Sequence, residues 1–250
     1  MQNYETARLD PYCGPAPAPG ELYAAWNLDP VLIGALSLAS LAGYAQLHRS
    51  HAGPLRRTGL SAAALLAFLA FVSPLCALTT ALFAARGLHH LILIGLLAPA
   101  LAVAIPAPKR AGAAGFLALS AALWAWHVPS VYAAAWDSAA VYWLMQAALL
   151  LPAWAFWSAV LSARRDLEAG MAASLQVAAI AGQMGLIGAI LTFAPRPIYA
   201  EHLALTEVFG LSPLADQQLA GLVMWVPGML PMALVAFWIL RAAWLREARA

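Results

Sequence analysis

Alanine- and leucine-rich runs, long enough to cross a bilayer and almost free of charge, narrow the possible folds of this chain more than any other feature. Seven segments, at about 31–47, 59–78, 82–105, 112–128, 139–162, 171–194 and 217–240, have the length and apolarity of membrane spans. Of the 250 residues 64% are apolar and 10% charged, with a mean hydropathy of +0.78. A soluble domain carries about 25% charged residues, so no water-facing surface can be made from what remains. Strand-type alternation is absent, which disfavours a barrel. The expected fold class is all-α: a polytopic membrane helix bundle of seven spans, embedded in a lipid bilayer.

Prolines interrupt several spans, at Pro74, Pro99, Pro152, Pro227 and Pro231. Neighbouring helices can satisfy the carbonyls that such kinks set free. Small residues at helical spacing suggest close-packing seams: Ala35, Ala39 and Gly43 in the first span, and Ala181, Gly185 and Ala189 in the sixth, where Gly182 and Gly188 lower the bulk further.

Charge divides by loop. One set of loops holds Arg49, Arg56, Arg57, Lys109, Arg110, Arg164, Arg165, Arg241, Arg246 and Arg249, ten of the thirteen basic residues. The other side holds Arg8 and Arg196, with Arg86 near that edge of the third span, and eight of the eleven acids: Glu5, Asp10, Glu21, Asp29, Asp137, Glu201, Glu207 and Asp216. The excess of Lys and Arg on cytoplasmic loops then puts the amino terminus outside and the carboxyl terminus in the cytoplasm. Three regions are expected: an extracytoplasmic arm over 1–30, the transmembrane domain over 31–241 and a cytoplasmic tail over 242–250. The arm is polar and proline-rich, with nothing resembling a cleaved signal peptide. Cys13 and Cys76 lie far apart in sequence and in expected depth, so no disulfide framework is implied. A net charge of +2 gives no reason to expect nucleic acid.

The residues with chemistry gather toward one face. Residues 124–137 read WAWHVPSVYAAAWD, so the fourth span closes on His127, beside Trp126. His89 and His90 lie about two turns into the third span from its outer end. DQQLAGLVMWVPGM enters the seventh span at Asp216, and Met224 follows eight residues later, roughly 12 Å deeper at helical rise. Asp216, Ala220 and Met224 share one helical face. Imidazole and thioether, with a thiolate from Cys13 as a further candidate, suit copper, above all Cu(I); hard ions would need a nest of oxygens. Adjacent helical residues point about 100° apart, so at most one of His89 and His90 faces a given site. Each of these residues also has a structural reading, as helix contact, interfacial cap, core filler or inert thiol. His48, His51 and His202 read as loop residues.

WNLDP (26–30), WHVPSVY (126–132), FAPRPIYAEH (193–202) and DQQLAGLVMWVPG (216–228), in that order, resemble the CtaG-type cytochrome c oxidase assembly factors. The resemblance implies a seven-span bacterial inner-membrane protein that matures a haem–copper oxidase. It implies an oxidase subunit as partner, copper supply as the favoured role, and a periplasmic copper donor as a possible second partner. The family's WHxP histidine falls on His127, the methionine of its DQxxAGxxMW pattern on Met224, and that pattern's acid and amides on Asp216, Gln217 and Gln218. A histidine pair four apart in the third span has its second member at His90 but Arg86 at the first position. A Glu-His pair of the fifth span falls on Met145 and Gln146. On this reading His90, His127 and Met224 form a transfer site, and Asp216 orients an imidazole. Trp26, Asn27 and Asp29 pin the arm, and Tyr199 and Asp216 belong to outer-loop surfaces open to a partner.

Two alternatives stay open. His90 and His127 could ligate a haem axially, or the chain could chaperone an oxidase subunit without touching metal. An enzyme is not expected, because there is no nucleophile–base pair, phosphate loop or pair of carboxylates within reach. A transporter is disfavoured by the scarcity of charge in the spans and the lack of an inverted repeat.

Overall fold

The computed structural model describes residues 11–108, 110–163 and 167–248. Arg8, Glu5, Asp10, Lys109, Arg164, Arg165 and Arg249, which entered the charge argument, lie outside the described residues. All regular structure among the described residues is helical. Five helices are long and apolar enough to cross a membrane, or up to seven if each of two bent pairs is one span.

α1 (Pro30–Arg49) starts where Asp29 accepts the Val31 N–H at 2.8 Å, with Pro30 supplying a ready-made first-turn φ. Its contact face is Leu32, Gly43 and Leu47; Ala35 and Ala39 are exposed. The alanine seam expected in this helix therefore does not pack against the rest of the chain. Leu60 packs where Gly43 lacks a side chain, 3.0 Å from where a Cβ would stand, and the alanines lie off that line.

The second segment breaks in two. α2 (Pro54–Phe71) and α3 (Pro74–Ala81) meet at 43°. Pro74 cannot donate to the preceding turn, and the Ser73 hydroxyl accepts the Leu75 N–H at 3.3 Å to start a new helix. The next segment is α4 (Phe83–Ile92), a π-helical turn (Leu93–Leu97) and α5 (Ala98–Ala104), which together form one span of 22 residues.

α6 (Ala111–Ala125) and α7 (Pro129–Asp137) meet at 87°, with Trp126, His127 and Val128 forming the corner. Pro129 again takes the first helical turn. α7 carries the VYAAAWD stretch, whose helix the span pattern does not reveal. α8 (Ala139–Ser162) follows, capped by Ser138, and contains Pro152 without breaking.

α9 (Leu167–Phe193) and α10 (Pro213–Glu247) pack along a glycine seam. A Cβ on Gly188 would stand 2.7 Å from the Gly221 carbonyl oxygen, and one on Gly185 would stand 2.7 Å from the Met229 sulfur. The sixth-span seam thus does pack, through Gly185 and Gly188, whereas Gly182 has open space. α10 runs to Glu247, so the helix continues through residues 242–247.

The arm is tied down. Cys13 and Cys76 form a disulfide, contrary to the expectation of two unrelated thiols. That expectation assumed an unbroken span over 59–78 and a free arm. The break at Ser73 reorients the Cys76 segment. The Asn27 N–H bonds the Val72 carbonyl at 2.9 Å and its side-chain amide donates to the Phe71 carbonyl at 3.2 Å, which turns the arm back. Tyr12 donates to Asp29 at 2.7 Å and stacks on Tyr142, centroids 5.0 Å apart. Burial and then the Asp29 hydrogen bond push the Tyr12 phenol up to about 12, while the same bond and the Val31 amide hold Asp29 below the usual carboxylate range. The Trp26 indole donates to the Tyr23 carbonyl and its ring meets Phe68 at 5.9 Å. WNLDP is a strap.

Candidate functional site

α4 positions the polar core of the bundle, and its own start is set by another helix. The Asp216 carboxylate, in the first turn of α10, accepts from the Phe83 N–H at 2.6 Å and the Ala84 N–H at 3.1 Å. Both are amides that a helix N-terminus leaves unpaired. Asp216 is fully buried and makes no hydrogen bond to an imidazole, so the expected orienting role is replaced by a cap across helices. The expectation failed because Asp216 was placed by its stripe on α10, and the stripe says nothing about which helix end faces it. Gln217 accepts from Ile198 N–H at 2.6 Å and donates to the Leu191 carbonyl at 3.2 Å, which pins the α9–α10 loop. Gln218 is half-buried.

Two adjoining cavities, of about 20 and about 10 Å³, lie one turn deeper. Both are lined by Gly87, His90, Trp126, His127 and Met224. Three segments, α4, the corner between α6 and α7, and α10, thus bring the two expected imidazoles and the expected thioether around one small space. The 87° corner is what turns His127 into it. His89, one residue from His90, points elsewhere: it is fully buried edge-on to Phe71, with ring centroids 5.3 Å apart. The cavities also hold residues that sequence reasoning missed. Met184 of α9 lines the larger, and Arg86 and Tyr132 line the smaller. Met184 sits among the glycines of the α9 seam, where nothing in its surroundings marked it.

His127 Nδ1 donates to the Leu123 carbonyl at 2.6 Å, so Nε2 carries the lone pair. His90 Nε2 is buried with no hydrogen-bond partner. Tyr199 holds this corner from the α9–α10 loop, its hydroxyl donating to the His127 carbonyl at 2.9 Å and its ring stacking on Phe83 with centroids 4.2 Å apart. Burial raises the Tyr199 phenol above its ordinary value. His202, read from sequence as a loop residue, lies in that loop but is buried, between Tyr132 (hydroxyl to Nε2, 2.8 Å) and the Ala81 carbonyl (from Nδ1, 3.3 Å). Burial first, then the Arg86 charge, push its imidazole down to about 3.

Cys13 contributes no thiolate, because its sulfur is bonded to Cys76; the Tyr142 hydroxyl lies 3.3 Å from it. Among the described residues no group of three or more His, Cys, Asp and Glu is arranged to hold a metal ion. Any metal here would rest on a mixed set that includes methionine.

The sequence model of the cytochrome c oxidase caa3 assembly factor family matches residues 110–247, more than half of the chain. The chain belongs to that family. No curated protein and no solved structure matches it. The matched stretch carries the WHVP corner, the glycine seam and the Asp216 cap of this assembly factor. α4, with His90 and Arg86, lies before it.

Proposed function

We propose that this assembly factor holds one copper ion, as Cu(I), between His90, His127 and Met224 and passes it to a subunit of cytochrome c oxidase. The observation that carries the reading is the shared cavity. Two imidazoles, one with its tautomer set to leave Nε2 free and one with Nε2 unpartnered, face the same space as a buried thioether. Cu(I) accepts few, soft ligands, and a two- or three-ligand site releases its ion readily by ligand exchange. Met184 supplies a second thioether on the same wall. The buried Arg86 charge beside the smaller cavity opposes a resident cation and favours a short stay.

The membrane setting completes the proposal. The protein lies in the bacterial inner membrane as seven spans, each bent pair counting as one, with the amino terminus outside. A disulfide between Cys13 and Cys76 fits the oxidising outer compartment. A periplasmic donor would load the site from that side, and the role is carriage without catalytic turnover. Replacing His90 and His127 together by Ala, in protein that still inserts, is expected to lower bound copper and leave the oxidase short of it. Unchanged copper content and unchanged oxidase would refute the reading. A haem role has less support, since a cavity of about 20 Å³ has no room for a macrocycle. A Soret band in the purified protein would reverse that judgement.

A further inference from the structure

Among the described residues Arg86 is a buried cation without a counter-ion. Its residue exposure is 3%, and Nε and Nη1 have no hydrogen-bond partner. The rest of the guanidinium lies beside the Tyr132 and Tyr142 hydroxyls, with Cζ 5.6 Å from the Tyr142 ring centroid. Neither phenol carries a charge to balance it. The Tyr132 hydroxyl donates to His202, whose Nδ1 proton goes to the Ala81 carbonyl, so it turns only lone pairs toward other neighbours. Asp216, a buried acid, has its two oxygens on the Phe83 and Ala84 amides. Glu201 acts on Tyr199 from the loop and is not bonded to Arg86.

A guanidinium keeps its charge in proteins, and leaving one unpaired in an apolar interior is costly enough that such groups mark sites. Arg86 also lines the smaller cavity, whose remaining wall is Phe83, Gly87, Trp126 and Met224 with His90, His127 and Tyr132. That space of about 10 Å³ opens toward the larger one through five shared residues. At about one water's worth of space it is far too small for sulfate or phosphate, and a single-atom anion is the largest that a slight adjustment of its side chains would admit.

We infer that the cavity beside Arg86 is a binding site for one small halide-class anion, chloride being the ligand tested, held by the free Nε and Nη1 donors. The site stands on Arg86 alone and does not rest on the copper reading. Its test is therefore made on protein stripped of metal by a chelator, where failure of copper binding leaves it untouched.

Purified protein in micelles is titrated with sodium chloride against sodium gluconate at constant ionic strength. The thermal midpoint is expected to rise saturably with chloride, as binding to the folded state requires. Arg86→Gln is expected to weaken that response roughly tenfold or more, and Arg86→Lys to keep part of it. Equal midpoints in the two salts, or an unchanged response in Arg86→Gln, would overturn the proposal. If Arg86→Gln does not accumulate, chloride-35 line broadening in the wild-type protein decides. Broadening beyond empty micelles that bromide relieves and sulfate does not supports the site. No excess broadening, or equal relief by sulfate, refutes it.

Discussion

The carboxylate of Asp216 caps the helix that begins at Phe83, 133 residues earlier in the chain, through a 2.6 Å hydrogen bond to the Phe83 amide. One contact between α10 and α4 thereby sets the height of Arg86 and His90 against Met224. Asp216→Asn keeps one acceptor but turns an amide NH₂ toward one of the two backbone donors. It is expected to cost about 1–3 kcal/mol, the range for a charged hydrogen bond lost inside a protein. Asp216→Ala should cost more. Thermal unfolding of the purified variants checks the order; a wild-type midpoint for Asp216→Ala would show that the cap is dispensable.

The disulfide closes a loop of 63 residues between arm and α3. Loop-closure entropy assigns such a link roughly 4 kcal/mol, less whatever order the membrane already imposes on the open chain. Cys13→Ser is expected to lower the thermal midpoint and expose the arm to protease near Tyr12. Treating the wild type with a reductant should reproduce the effect, and the Cys13→Ser protein should then show no further response.

His202 makes stability depend on pH. Its folded value of about 3 lies below the ordinary 6.5, so below pH 6.5 the unfolded loop takes up a proton that the folded one refuses. The contribution is whole above pH 6.5 and declines as pH falls toward 3, by at most about 1.4 kcal/mol per pH unit. Comparing midpoints of wild type and His202→Gln between pH 7 and pH 5 isolates it: the wild type should lose more. Equal losses would mean that the ring does not resist protonation.

Gly221 lies where the backbones of α9 and α10 approach each other closely. A Cβ there would collide with the Thr192 hydroxyl and the Gly188 carbonyl, and the Thr192 amide nitrogen stands only 2.9 Å away. Two of these obstacles are backbone, so relief requires the helices to part. Gly221→Ala is expected to destabilise by about 1–3 kcal/mol, while Gly182→Ala, facing open space, should be neutral. Parallel denaturation of the two variants tests the contrast.

Apolarity and its interruptions were readable from residue order alone. Water cannot solvate such runs, and a bilayer demands internally bonded backbone, so the helical class and the approximate positions of the long apolar helices follow without knowing any neighbour. The types of side chain that line the cavities were also readable, because WHVP and DQQLAGLVMW carry a scarce imidazole and a thioether on apolar segments. Their convergence was not. It depends on the 87° corner after Trp126 and on which way α4 is rotated, and both are settled by packing against distant helices.

Tertiary structure alone decided the pairing of Cys13 with Cys76, the use of Asp216 as a cap, the burial of His202 and, among the described residues, the unpartnered Nε and Nη1 of Arg86. Each joins segments far apart in the chain. Local periodicity records how a residue lies on its own helix and carries no information about what stands opposite. Hydropathy placed these helices in lipid; only their packing against one another determined which polar groups found partners and which were left facing a cavity.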